Sequence, residues 1–585
     1  MKMTYFVRVE KPHLQMFHVE MVIEEITESE ITLTLPAWTP GSYLIRDFSK
    51  NVRKFAAYGK DGEPLESKKK DKLSWKVSTG GRTELRISYS VYADELSVRT
   101  SHMDASHAFI LGTSLFMYME GYKDQTVEVD LHLPEGWHAT TALDKIGNDR
   151  YRATNYDILV DSPIEAGTHE DYSFTVDGKE HVIALYGLKG INFERQVADM
   201  KKIAESAIKV FEHVPFKRYV FIIHAYPGAQ GGGLEHSNSC VISTDIYNAI
   251  PGEKYDRFLS VVSHEYFHAW NVKRIRPVEL GPFNYREENY TTLLWFSEGF
   301  TEYFGNLILY RSGLIDRKRY FELISDMIHD IESLPGALET SLADSSFDTW
   351  IRLYKPSPDD LNSYISYYLK GNAAGLLLNI NMIASTSGSV TIDSLMKALY
   401  DRFRRDGKGI TEKDIINVAN DLTSADFRDF FQKYIRGTGK VDFDSELSKV
   451  GLSITRKSTW NKSGSDLSTT GMLIKKENGA FRVYSVLRGW PSYESGINAG
   501  DEIVAVNGKR FTDANTKAPG KNSWLLYDAL IVNPGSLVDV ILFRRNSLLS
   551  VSIKTTSPPN DSYEMQEDKK PSPEAAKYLD ILLAK

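Results

Sequence analysis

Apolar and polar residues alternate through most of the first 180 positions. HVEMVIEEI (18–26), EITLTLPAW (30–38), ELRISYSVYA (84–93) and QTVEVDLHLP (125–134) each repeat with period two. Turn clusters such as KDGEP (60–64) and PEGW (134–137) separate them. A period of two places every second side chain on one face, so these segments predict half-buried strands. Together they predict an all-β sandwich over residues 1–180.

The period changes near Asn192. FERQVADMKKIAESAIKVFEHV (193–214) spaces its apolar residues by three and four, as an amphipathic helix does. A strand YVFIIHAY (219–226), the glycine-rich GAQGGGLEH (228–236) and a second strand CVIST (240–244) follow. DRFLSVVSHEYFHAWNV (256–272) and TLLWFSEGFTEYFGNLILY (292–310) then read as helices, and 373–436 holds several more. Thr391, Thr411 and Ser424 stand ahead of acidic first turns as expected N-caps. Residues 181–452 are therefore mixed α/β turning into all-α. The polar run 455–471 is expected to lead into a third unit, 453–557, of short strands around one helical segment, SWLLYDALIV (523–532). Residues 558–585 begin as a proline- and charge-rich tail and are expected to close with a short helix.

Composition narrows the possibilities. The 585 residues are 42% hydrophobic and 25% charged, enough to bury several cores and too apolar for general disorder. Seventy Lys and Arg against 78 Asp and Glu leave a net charge of −8, contrary to a general nucleic-acid binder. Cys240 stands alone, which excludes an internal disulfide and a cysteine-built zinc site. The amino terminus has no apolar stretch of signal-peptide length, and no window reaches the roughly 18 apolar residues of a membrane helix. The expectation is a protein of the cytoplasm with no membrane partner. The 32 tyrosines exceed what packing usually asks for.

Inside the helical pattern lies HEYFH, residues 264–268. His264 and His268 are one helical turn apart and face the same way, the spacing that offers two imidazoles to a tetrahedral Zn²⁺. Glu265 is offset around the helix, where its carboxylate addresses a water rather than the metal. A third ligand is needed, and Glu298 and Glu302, one turn apart in WFSEGFTEYF, both qualify by type and position.

The motif W-x-x-E-G-F (295–300) resembles the third-ligand helix of the gluzincin aminopeptidases. That resemblance assigns the metal to Glu298 and leaves Glu302 as the acceptor for a ligand histidine N–H. HEYFHAWNVKRIRP (264–277), GGGLEH (231–236), PAWTPGSYLIRDF (36–48) and the 91–118 segment together resemble the glycyl aminopeptidase family, zinc enzymes related to aminopeptidase N that often carry a C-terminal PDZ domain. The resemblance spans residues 1–557. It implies a thermolysin-like catalytic domain, one Zn²⁺ per chain, and peptide substrates with a free N-terminus and a small first residue, Gly or Ala. The 30 residues from His268 to Glu298 exceed the aminopeptidase N spacing, so RIRPVELGPFNYREENY (274–290) must form a loop.

GGGLEH occupies the place of the G-x-M-E-N motif of aminopeptidase N. The resemblance gives Glu235 the substrate's α-ammonium, Gly232 and Gly233 close backbone approach, and leaves the role of His236 open. YLKG (368–371) matches the Y-x-K-G motif 70 residues past Glu298, which implies Tyr368 as the partner of the developing oxyanion, with Tyr364 and Tyr367 packing. Residues 481–511 resemble a PDZ domain, with the amides of Gly471, Met472 and Leu473 as the expected carboxylate-binding loop for a peptide or protein C-terminus. The alternatives are a catalytically silent PDZ scaffold, against which the intact motif set stands, and a zinc endopeptidase, against which Glu235 stands.

Overall fold

The computed structural model describes residues 1–404, 407–460, 467–518 and 526–585. The alternating segments at the amino terminus do become strands. Met16–Glu24 lies between Lys2–Arg8 and Glu84–Tyr92 in an eight-stranded sheet, and every second residue along it is buried. Phe17, Val19, Met21 and Ile23 share one core with Leu33, Trp75 and Val77 of a separate four-stranded sheet. Two short helices, Gly112–Leu115 and Tyr156–Val160, interrupt the β structure, so this domain is β-rich rather than all-β.

The next sheet begins earlier than the pattern suggested. Glu170–Val176 and Lys179–Tyr186 form a hairpin, and Lys179–Tyr186 then pairs in parallel with Arg218–Tyr226. Glu170–Val176 alternates like the strands before it, so periodicity gave no sign that it had changed sheets. Ser239–Asp245 continues the parallel run, and Gly232–Glu235 turns back antiparallel to form the far edge. The glycine-rich segment is therefore a strand, set directly against the helix Tyr255–Phe267 that carries HEYFH.

Helices follow. Thr391 and Thr411 cap their helices with reciprocal capping boxes, as expected. Ser424 does not cap a helix start. It ends Glu412–Thr423 in the left-handed conformation at φ 54°, and Arg428–Tyr434 begins without a side-chain cap.

The long loop after His268 docks onto the β-rich domain. Tyr285 is 1% exposed within that domain's core and donates its hydroxyl to Asp157, while Arg286 pairs with Asp71 and Glu120. In return, Trp38 and Tyr43 of the β-rich domain join the core of the middle domain, Trp38 donating its indole N–H to Asn284 O at 2.9 Å.

The C-terminal β domain leaves and rejoins the body of the middle domain. Leu452–Lys457 pairs with Ser562–Glu567, which sits on the helix Arg317–Ser333, and Arg456 and Tyr563 both meet Glu332 of that helix. The terminal helix Pro573–Leu582 buries Leu579 and Leu582 in the core of the middle domain. The charged tail is thus a strand and a helix of the body. The expected helix SWLLYDALIV is absent among the described residues: Leu526–Asp528 and Leu530–Ile531 are strands, and positions 523–525 lie outside the described residues. Tyr527 pairs with Leu473, and the Asp528 carboxylate is fixed by backbone amides, which holds this segment extended. Among the described residues no helix is long and apolar enough to cross a membrane.

Candidate active site

The helix Tyr255–Phe267 is buried through its last turn, and His264 and His268 project from one side of it. His264 Nδ1 lies 3.0 Å from Glu302 Oε2, and His268 Nδ1 lies 2.7 Å from the backbone oxygen of Asn271. Both acceptors take an N–H, which fixes the proton on Nδ1 and leaves each Nε2 with a lone pair. Those two Nε2 atoms face each other at 3.0 Å, and Glu298 Oε2 stands 3.4 Å from one and 3.2 Å from the other.

Three lone pairs converging at such distances repel unless a cation sits among them. Tetrahedral Zn²⁺ with bonds of about 2.0–2.1 Å places its ligand atoms about 3.3–3.4 Å apart. The observed triangle fits that edge length, and its chemistry of two imidazoles and a carboxylate is a zinc donor set.

Glu298 reaches the site from a π-helical turn, Trp295–Gly299, that precedes the helix Phe300–Arg311. Such insertions re-aim a single residue and recur at functional positions. Asn271 ties this turn to the histidine helix by donating to Phe296 O at 2.9 Å. Burial would raise the Glu298 carboxyl, but His268 and His264 hold it well below its usual range.

Glu265 is 6% exposed, and its Oε2 has no hydrogen-bond partner. Burial pushes this carboxyl up to about 7, with Glu235 and Glu298 adding to the rise and the two histidines opposing it. A carboxyl near neutrality can both take and return a proton. Gly233 is where it is because of this side chain: a Cβ there would run into the Glu265 carboxylate. Gly232 beside it has φ 150°, outside the range that side chains favour.

Glu235 ends the same strand. Donor atoms of Glu235, Glu265 and His268 all lie within 4.8 Å of one another. On its other side Glu235 abuts the β-rich domain, where a Cβ on Gly41 would stand 2.5 Å from its carboxylate. His236 points away from the metal cluster. It bonds Asp161 at 3.1 Å, and Lys273 and Ser237 converge on the same carboxylate. A cavity of about 290 Å³ opens beside Glu235, lined by Trp38, Gly41, Tyr43, His236, Lys273 and Phe283.

Tyr368 enters from the first turn of the helix Tyr367–Ser385. Its ring lies nearly parallel to that of His264, with centroids 6.1 Å apart. Burial, with Glu298 adding, pushes its hydroxyl above the usual value, so it stays a donor. Tyr367 is fully buried and bonds Thr349, and Tyr364 is buried beneath the same helix. Lys370, pushed down to about 8 by burial, donates to Ala337 O and faces away from the metal cluster.

The structure therefore brings His264, Glu265, His268, Glu298, Glu302, Glu235, Gly233 and Tyr368 into one cluster. Gly41, Trp38 and Tyr43 wall the cleft; the sequence left residues 36–48 open between reaching the cleft and domain packing, because nothing in PAWTPGSYLIRDF distinguishes the two. Sequence reading missed Asp161 and Lys273, whose pairing joins residues far apart in the chain.

Residues 4–168 match the peptidase M61 N-terminal domain profile, and residues 257–374 match the M61 glycyl aminopeptidase profile. A crystal structure of an aminopeptidase N family protein from Idiomarina loihiensis is similar over 100% of both chains, with TM-score 0.91 and 29% identity. An M1 zinc metallopeptidase from Deinococcus radiodurans is similar over 75% of this chain and 94% of its own, with TM-score 0.47 and 13% identity. No curated protein matches the sequence.

Proposed function

We propose that this chain, a metallo-aminopeptidase whose residues 4–168 and 257–374 match the M61 N-terminal and M61 glycyl aminopeptidase models, releases one N-terminal residue at a time, with Gly and Ala preferred, at a single zinc held by His264, His268 and Glu298. The observation that carries this reading is the closeness of Glu235 to Glu265 and His268. The α-nitrogen and carbonyl carbon of one residue are two bonds apart, about 2.5 Å. An ammonium bound by Glu235 therefore leaves room for one residue before the reacting carbonyl, which is the register of an aminopeptidase.

Zinc, when bound, supplies a Lewis acid that polarises the carbonyl and makes water acidic enough to attack at neutral pH. Glu265 accepts the proton of the attacking water and delivers it to the peptide nitrogen as the C–N bond breaks. The Tyr368 hydroxyl donates to the carbonyl oxygen as negative charge builds there. Glu302 and the Asn271 carbonyl keep the two imidazoles in the tautomer that presents Nε2. Gly232 and Gly233 let the extended substrate pass close to the strand. Trp38, Gly41 and Tyr43 wall the cavity beside Glu235, and the preference for small first residues rests on the family resemblance. The C-terminal β domain is PDZ-like on its GINAGDEIVAVNG sequence and closing hairpin.

Chelator-sensitive release of arylamine from Gly- and Ala-arylamides, with N-acetylated versions left intact, tests this function. Equal cleavage of the blocked substrates would make the enzyme an endopeptidase instead.

A further inference from the structure

Peptide capture by β-addition needs an open sheet edge, and capture of a chain end needs free backbone amides for its carboxylate. In the C-terminal β domain both are filled from within. Met472–Glu477 pairs with Ala480–Val486 on one side and with Leu526–Asp528 on the other, Leu473 opposite Tyr527 and Ile474 opposite Leu526. The fully buried Asp528 carboxylate accepts the N–H of Thr470 at 2.8 Å, that of Met472 at 3.1 Å and the Thr469 hydroxyl at 2.7 Å. Gly471, between them at φ 81°, makes the turn that points these amides inward. An internal carboxylate thus occupies the loop expected to hold a partner's C-terminus.

The face next to this edge is covered by the catalytic body. Trp460, Leu473, Leu487, Tyr527 and Ala529 form a buried cluster against which Leu361 packs. Asn362 is 2% exposed, donates to Val486 O at 2.9 Å and accepts the Arg488 N–H at 2.8 Å. Arg488 also pairs with Glu339. Leu361 and Asn362 belong to the short helix Asp360–Ser363, just ahead of Ser366, whose hydroxyl caps the helix of Tyr368 by accepting the Tyr368 N–H. On the opposite flank Thr340 and Ser345 hold Ser363 O and Ile365 O.

We propose that the C-terminal β domain is a self-filled module that grips Leu361 and Asn362 and so sets the start of the Tyr368 helix, with Asn362 as a positioning residue for Tyr368. The proposal rests on the reading of Tyr368 given above. Misplacement of a reacting group by about 1 Å costs up to about 100-fold in rate, and no contact with substrate is involved.

The test is a double-mutant cycle on Ala-p-nitroanilide hydrolysis by the full chain, with zinc content measured for each variant. Asn362→Ala should lower kcat about 10- to 100-fold, with KM and zinc content unchanged. In the Tyr368→Phe background the same substitution should add almost nothing, because its target is already gone. A dead Tyr368→Phe beside an unaffected Asn362→Ala overturns this proposal alone, as does an undiminished Asn362→Ala loss in the Tyr368→Phe background. A fully active Tyr368→Phe overturns the Tyr368 reading and this proposal with it. The self-filled edge is read separately with a peptide blocked by fluorescein at its N-terminus and ending in a free Val carboxylate. No saturable binding is expected, and binding that survives zinc removal overturns the edge assignment.

Discussion

Gly299 and Gly371 touch backbone to backbone. A Cβ on Gly299 would lie 2.5 Å from Gly371 Cα, and one on Gly371 would lie 2.7 Å from Trp295 O. No side chain separates the glutamate turn from the tyrosine helix, and this contact sets both Glu298 and Tyr368 beside His264. Each glycine ends one of the two motifs, E-G and Y-x-K-G, and the structure gives both the same physical reason.

Gly371→Ala tests that contact. An alanine is worth about 1 kcal/mol in helix propensity, but two backbones cannot yield to its methyl, and overpacking costs about 1–3 kcal/mol. The expected result is a lower unfolding temperature together with a loss of kcat, read by calorimetry and steady-state kinetics. A stabilised, fully active variant would contradict it.

Gly233→Ala should displace Glu265 directly, since the new methyl would occupy the space of its carboxylate. General acid–base catalysis contributes about 10²–10⁴-fold, so kcat should fall within that range while metal content holds. Elemental analysis beside kinetics separates this outcome from loss of the metal.

Glu235→Ala removes the proposed ammonium anchor. A hydrogen bond to a charged group is worth about 1.5–3 kcal/mol, so kcat/KM on Ala-arylamide should fall about 10- to 150-fold. A loss of similar size on substrates with no free amine would show that Glu235 serves something other than the N-terminus.

His181 lies beneath the metal helix, its Nε2 2.8 Å from the Tyr266 hydroxyl and its Nδ1 3.1 Å from Lys179 O. Burial lowers its pKa from the ordinary 6.5 to about 4. The unfolded chain binds a proton below pH 6.5 and the folded chain only below about 4. This group's contribution is therefore complete above 6.5 and falls as pH drops from 6.5 to 4, by up to about 3 kcal/mol. His181→Gln should flatten that part of the pH dependence in urea unfolding. Parallel profiles for the two proteins would show that His181 does not titrate in this window.

The proposed metal ligands were legible because a helix converts sequence spacing into direction: positions i and i+4, His264 and His268, fall on one face of any α-helix. The choice between Glu298 and Glu302 was not legible from spacing. It turns on a π-helical insertion that aims Glu298 inward and leaves Glu302 on the far side of His264, a local irregularity that periodicity does not encode. The strand Leu526–Asp528 was misread as helix because LLYDAL has an apolar spacing that suits either state, and the amides that fix Asp528 come from residues 470 and 472. Ser424 resembles an N-cap by type and position, yet its left-handed backbone makes it a helix end. The Asp161–Lys273–His236 network depends on two domains meeting, which no single segment reveals.

Zinc content and turnover of Glu265→Gln, measured on the same preparation, test the central claim most directly. The account predicts about one zinc per chain, as in the unmodified enzyme, because Glu265 is no ligand, with hydrolysis of Ala-arylamide lowered by about 10²–10⁴-fold. Zinc retained with an unchanged rate would contradict the assignment of Glu265 as the proton carrier.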